Sequence, residues 1–202
     1  MVSVNRQLGL SLVEFTVAAA VSMIVITNVG AVYFSGFKVI SERAKSLSLY
    51  QDVNDALRLM KEELVRAGYS GGTGSVAMLS GSSSTVEMGT NEIGFVYLDE
   101  AGEWRGIKFH KTTSLAGTET VQMCQRREIA STPSFSYADL CSSAEVAAIL
   151  PYKQLEVNSF NVVSDIVSTA SATSYKITLT LDVTNGMQSY EKQTSFLVRN
   201  WQ

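Results

Sequence analysis

The sequence predicts an α+β chain: one long N-terminal helix, apolar in its first half, lying across a mainly antiparallel sheet. Three observations predict it. Residues 15–34 contain no ionisable group except Tyr33. Residues 35–67 keep the spacing of an amphipathic helix, and no proline occurs before Pro133. The remainder is a series of short β-prone runs separated by turn residues.

Composition excludes several function classes first. The chain has 202 residues, with 16 Lys+Arg against 19 Asp+Glu, for a net charge of −3. A phosphate-reading surface needs an excess of basic residues, so nucleic acid is not expected to be bound directly. One His and two Cys leave little material for a metal centre, and neither metal nor cofactor is expected. Only 17% of residues are charged and mean hydropathy is slightly positive, which points to a membrane-associated segment.

Residues 15–34 are long enough to cross a bilayer as a helix. Thr16, Ser22, Thr27, Asn28 and Gly30 interrupt the run only with small or uncharged groups. Two readings compete here. A secretory signal peptide would use the small residues 18–20 as its cleavage site, but the apolar run continues to Phe34 and Glu14 interrupts its front. A plain single-pass anchor accounts for the run and leaves Glu14 unexplained. A carboxylate deep in a membrane helix costs about 2.5–3.5 kcal/mol on insertion scales.

Gly9-Leu10-Ser11-Leu12-Val13-Glu14, followed by an apolar helix, resembles the prepilin processing motif of type IV pilins and pseudopilins. The resemblance implies that a membrane aspartyl peptidase cuts between Gly9 and Leu10 and methylates the new amino terminus at Leu10. Residues 1–9 would be the leader, and Glu14 the fifth mature residue. Two features depart from the usual pattern: Leu10 stands where many members have Phe, and Arg6 is the only basic residue of the leader. The logic of the motif is physical. A processed Leu10 carries a charged amine beside the membrane, and in a fibre Glu14 of one subunit meets the amine of a neighbour. One neutralised pair then replaces two unpaired charges. A bland alternative places Glu14 as an interfacial carboxylate favoured by the helix dipole.

The helix is expected over residues 10–67, about 87 Å at 1.5 Å per residue, with a membrane span over about 15–34. Tyr50, Val53, Leu57, Met60 and Leu64 form one apolar stripe for packing on a head. A coiled-coil seam is the competing use of that stripe, but it covers only about two heptads. Asn28 and Gly30 lower helix propensity and could allow melting or a bend. Gly68 is the stop. Arg66-Ala67-Gly68-Tyr69, with Gly71, is similar to the turn that closes the first helix of PilW-type minor pilins. Residues 70–84 read as a surface loop, with a short strand at 76–79.

The head, residues 68–202, is expected to be β-rich. Residues 93–98 and 104–110 make a hairpin across 99–103, and 120–124 add a strand. Residues 175–183 alternate with period two, Asn185-Gly186 is a turn, and a last strand lies near 190–199. Residues 155–163 read as a strand with a change of phase, because Leu155 and Val157 differ in parity from Phe160 and Val162.

Cys124 and Cys141 bracket 16 residues. With the head on the side of the membrane opposite Arg6, a disulfide would persist and contribute about 3 kcal/mol. Two separate buried thiols are the alternative. Residues 125–128 and 133–137 read as a variable contact surface. His110 is the only histidine, and no motif supplies it a partner for general base work.

The resemblance implies a PilW-like minor pilin, not an enzyme. It would be a substrate of the prepilin peptidase, held in the inner membrane by a single pass with its head in the periplasm, then incorporated in a cell-surface pilus. Its partners would be other minor pilins, the major pilin and the inner-membrane assembly platform. A J-type minor pseudopilin of type II secretion, or a single-pass membrane adhesin or sensor, are the alternatives.

Overall fold

Ser11 precedes helix α1 (Leu12–Leu64), and eight strands follow in the computed structural model: β1 (Val86–Gly89), β2 (Glu92–Leu98), β3 (Trp104–Thr113), β4 (Glu119–Glu128), β5 (Glu145–Ala148), β6 (Glu156–Ser168), β7 (Thr173–Thr184) and β8 (Ser189–Val198). The structure describes residues 11–72, 75–114, 116–142, 144–168 and 173–198. The chain divides into two compact units, one ending at Lys45 and one beginning at Ser46.

In the first unit every described side chain is exposed or nearly so, including Phe15, Ile24, Ile26 and Phe34. Its apolar window meets the length and hydropathy needed for one bilayer crossing. The polar side chains in it bond back to their own helix. Ser22 Oγ donates to the Ala18 carbonyl at 2.7 Å, Thr27 Oγ1 to Met23 at 3.0 Å, and Asn28 Nδ2 to Ile24 at 2.7 Å. Such bonding is what polar groups require where no water is available. The helix runs unbroken through Asn28 and Gly30, the two residues that could allow melting or a bend.

In the second unit, α1 buries Leu49, Val53, Ala56, Leu57, Met60 and Leu64. This stripe differs from the expected one at its start. Leu49 is fully buried, whereas Tyr50 lies at the edge with its ring T-shaped against Tyr190 at 4.5 Å. The helix also ends three residues earlier than expected. Arg66 and Ala67 donate to carbonyls three residues back, so the last turn tightens before Gly68, whose φ is 78°. The expected first residue, Leu10, lies outside the described residues.

The strands form two antiparallel sheets where the sequence suggested one: β1-β2-β3-β4-β5 and β6-β7-β8. The division falls at Pro151, whose carbonyl accepts from the Gln154 and Leu155 amides in a turn that takes the chain out of the first sheet. One face of each sheet meets the helix stripe. Ile93, Phe95 and Phe109 come from the first sheet, and Phe160, Leu179 and Leu181 from the second, all in one apolar cluster. Ile177, Leu179, Leu181 and Val183 are each fully buried, as the period-two pattern of β7 predicts. The phase change in β6 is a β-bulge: the register shifts between Val157 and Ser159, which lets both Val157 and Phe160 face the core.

Residues 76–79 do not form the expected strand. Ala77 N donates to Gly68 O, Ser80 N just beyond the segment donates to Phe135 O, and the side chains of Ala77 and Leu79 are buried. β1 and β5, at the two edges of the first sheet, are four residues each and carry too few residues to show a periodicity.

Candidate functional site

Three places in the chain carry the chemistry that the sequence singled out. The first is the start of α1. Gly9 and Leu10, the expected cleavage and methylation positions, lie outside the described residues. Glu14 is described and exposed, and its Oε2 accepts from the Ser11 backbone amide at 3.0 Å. Ser11 Oγ in turn accepts from the Val13 amide at 3.4 Å. Ser11 and Glu14 therefore make a reciprocal cap at the first turn, with Glu14 at its third position. The Ser-x-x-Glu spacing was available in the sequence as a capping signature and went unread there. A carboxylate at that position meets both the free amides and the positive end of the helix dipole.

The second place is the turn after the helix. Gly68 N donates to Val96 O at 3.0 Å, and Leu98 N donates to Tyr69 O at 2.8 Å. β1 pairs only residues 92–95 of β2, so this turn satisfies the rest of that edge. Below it, Tyr97 Oη donates to Glu63 Oε2 at 2.7 Å, and Arg66 reaches Glu63 at 3.4 Å. Burial, and then the Glu63 carboxylate, raise the Tyr97 pKa. A groove of about 640 Å³ opens here between the turn and the β2–β3 hairpin. Three of its charged groups are held in ion pairs, Arg66 with Glu63 and Arg105 with Asp99 at 3.0 Å, and Glu100 also lines it. Asp99 also accepts from the Ala101 and Glu103 amides, and those bonds, the Glu103 one foremost, hold its carboxyl below the usual range.

The third place is the face of the first sheet turned away from α1. Cys124 and Cys141 are joined in a disulfide, with Cα atoms 5.1 Å apart. The segment between β4 and Cys141 folds back as a flap over this face. Phe135 and Leu140 are buried there with Val96, Trp104, Ala77 and Leu79. The expectation of an exposed contact surface at 133–137 is therefore corrected at Phe135, and 125–128 belong to β4. Two glycines make room for the flap. A Cβ on Gly106 would come within 2.6 Å of Leu140, and one on Gly94 within 2.8 Å of the Tyr137 ring. Lys108 sits over that ring at 4.2 Å and bridges to Glu92 at 3.0 Å. Trp104 Nε1 donates to Ala130 O at 2.9 Å and ties down the start of the flap.

His110 lies on the same face, and its Nδ1 is 3.6 Å from both sulfurs. Burial, and then the nearby Lys108 charge, lower its pKa, while Glu92 acts the other way. The three ligand-type atoms of His110, Cys124 and Cys141 lie within 4.8 Å of one another, but sulfurs bonded to each other are not thiolate donors. The hairpin register explains the meeting. Lys108 is opposite Cys124 across β3 and β4, so His110, two positions on, points to the same side. Sequence reading found both strands and the two cysteines but did not align them.

Compared with known families, residues 42–200 match prepilin peptidase-dependent protein B. The chain belongs to this family. The match covers the head and the second half of α1, and the family's name ties its members to the prepilin peptidase. The N-terminal helix is long and apolar enough to cross a bilayer once and fits a single-pass inner-membrane anchor. No curated protein and no solved structure gives a significant match. The stretch Gly9–Glu14, which resembles a prepilin processing motif, lies ahead of the matched span.

Proposed function

We propose that this prepilin peptidase-dependent protein is a minor, PilW-like type IV pilin that helps prime pilus assembly and is incorporated at or near the tip. The observation that carries the reading is the junction at the head of α1: Gly9-Leu10, then a Ser11–Glu14 cap, then an apolar helix. The prepilin peptidase cuts after Gly9 and methylates Leu10, and the chain acts as a substrate and not as an enzyme. The processed protein waits in the inner membrane with its head in the periplasm. It meets other minor pilins, the major pilin and the assembly platform through α1, and then joins the cell-surface pilus. Before assembly Glu14 is satisfied by the Ser11 amide. On assembly it exchanges that neutral donor for the charged amine of a neighbouring subunit, a stronger bond in a dry interface. The turn at Arg66–Gly71 supports the PilW-like assignment over a J-type pseudopilin.

A clean deletion tests the role, with surface pili counted in electron micrographs and secreted proteins assayed in parallel. Lost pili with normal secretion is the expected result. Normal pili with lost secretion would make the protein a type II secretion pseudopilin. Neither defect would point to a membrane adhesin or sensor.

A further inference from the structure

The disulfide flap is asymmetric in a way that simple cross-linking does not require. Cys124 is fully buried on β4, whereas Cys141, on the flap, keeps part of its surface in solvent. His110 stands on β3, the strand paired with β4, so the imidazole and the buried sulfur are held by one ladder. The second sulfur arrives on the flap, and Nδ1 is 3.6 Å from each.

We propose that Cys141, Cys124 and His110 form a thiol–disulfide exchange site at which a disulfide donor closes the flap. Cys141 is the entry sulfur and His110 the proton acceptor for Cys124. In the first step the Cys141 thiolate attacks the donor disulfide. A Cys141–donor bond forms, and one donor sulfur leaves as thiolate. In the second step the Cys124 thiol gives its proton to His110 Nδ1, and the Cys124 sulfur attacks Cys141 Sγ. The Cys124–Cys141 bond forms, the Cys141–donor bond breaks, and the electron pair leaves on the second donor sulfur. The imidazolium returns its proton to solvent. Two electrons pass from the two cysteines to the donor, which ends as two thiols.

The surroundings suit this role. A proton acceptor works from its neutral form, which burial and Lys108 on its own strand favour at His110, against the opposing Glu92 on β2. β4 presents uncharged Gln122 directly across from it. The flap contributes Tyr137, which lies over Lys108, and its Asp139 is bonded to Ser136. The burial of Cys124 directs the donor to Cys141, since the attacked or attacking sulfur must be reachable.

The test uses the full-length chain in detergent, reduced, freed of reductant and offered glutathione disulfide. Single-cysteine variants Cys124→Ser and Cys141→Ser report which sulfur forms the mixed disulfide. Cys141 should react at least about tenfold faster. Closure of the Cys141–glutathione intermediate is then timed from pH 6 to 9.5 in wild type and His110→Gln. A free thiol of pKa about 8.5 is only about one per cent thiolate at pH 6.5, so a neighbouring acceptor matters most there. Wild type should close at least about tenfold faster than His110→Gln at pH 6.5, with the gap narrowing above pH 9. Equal rates, a gap that is the same at every pH, or faster capture at Cys124 would each overturn the proposal.

Discussion

Glu14 accepts from the Ser11 amide, and the proposed docking role gives the same carboxylate a second partner, so substitution can separate the two. The capping bond to the Ser11 amide needs an acceptor, not a charge, and Gln supplies one. Glu14→Gln should therefore be cleaved normally, keep the helix start and still enter pili poorly. Glu14→Ala should also be cleaved and enter poorly. Incorporation of Glu14→Gln at the wild-type level, read by immunoblot of sheared pili, would show that Glu14 acts only as a cap. His110 offers a second residue-scale prediction. Its folded pKa is depressed, so the unfolded chain binds the proton more readily. The associated stability is fully present above the unfolded value of about 6.5 and is lost as pH falls below it. Urea midpoints of the wild type should drop between pH 7.5 and 5.5, and those of His110→Gln should drop less. Much at this scale was legible. The helix start was legible, since the Ser11–Glu14 spacing is that of a capping pair, while the cleavage chemistry at Gly9 comes from the resemblance and is part of the proposal. His110 was not legible, since its role depends on a strand register that one sequence does not print.

Among the elements, the flap and the helix stripe carry the clearest stability predictions. Gly106 has no room for a methyl group, with Leu140 at 2.6 Å and Phe135 at 2.8 Å from where it would stand. Gly106→Ala should destabilise the head by about 1–3 kcal/mol, measured by denaturant midpoint. Met60 is fully buried between α1 and the sheets, and Met60→Ala should cost about 2–5 kcal/mol. The element boundaries explain what sequence could reach. β7 was readable because Ile177, Leu179, Leu181 and Val183 alternate onto one face, and the β6 bulge because the parity of the core residues changes between Val157 and Phe160. β1 and β5 escaped because four residues carry almost no period. The flap was misread as a contact surface because the apolar residues of 133–140 are few and irregularly spaced. What buries Phe135 and Leu140 is the pair of distant glycines that clears the sheet beneath them.

At the scale of the whole molecule, sequence gave the fold class and the order of its parts but left the head as one sheet. The division into two sheets depends on where the chain leaves β5, a turn held by the Pro151 carbonyl, and hydrophobic pattern alone does not encode that exit. The membership in the prepilin peptidase-dependent family rests on residues 42–200, while the stretch that resembles a processing motif stands outside that span. The central claim joins the two: the family's head is carried on a helix that the prepilin peptidase releases at Gly9. The most direct measurement is the intact mass of the protein extracted from membranes of cells with and without that peptidase. The account predicts a chain beginning at Leu10 with one added methyl group when the peptidase is present, and the full-length chain when it is not. An unprocessed chain in both strains would contradict it.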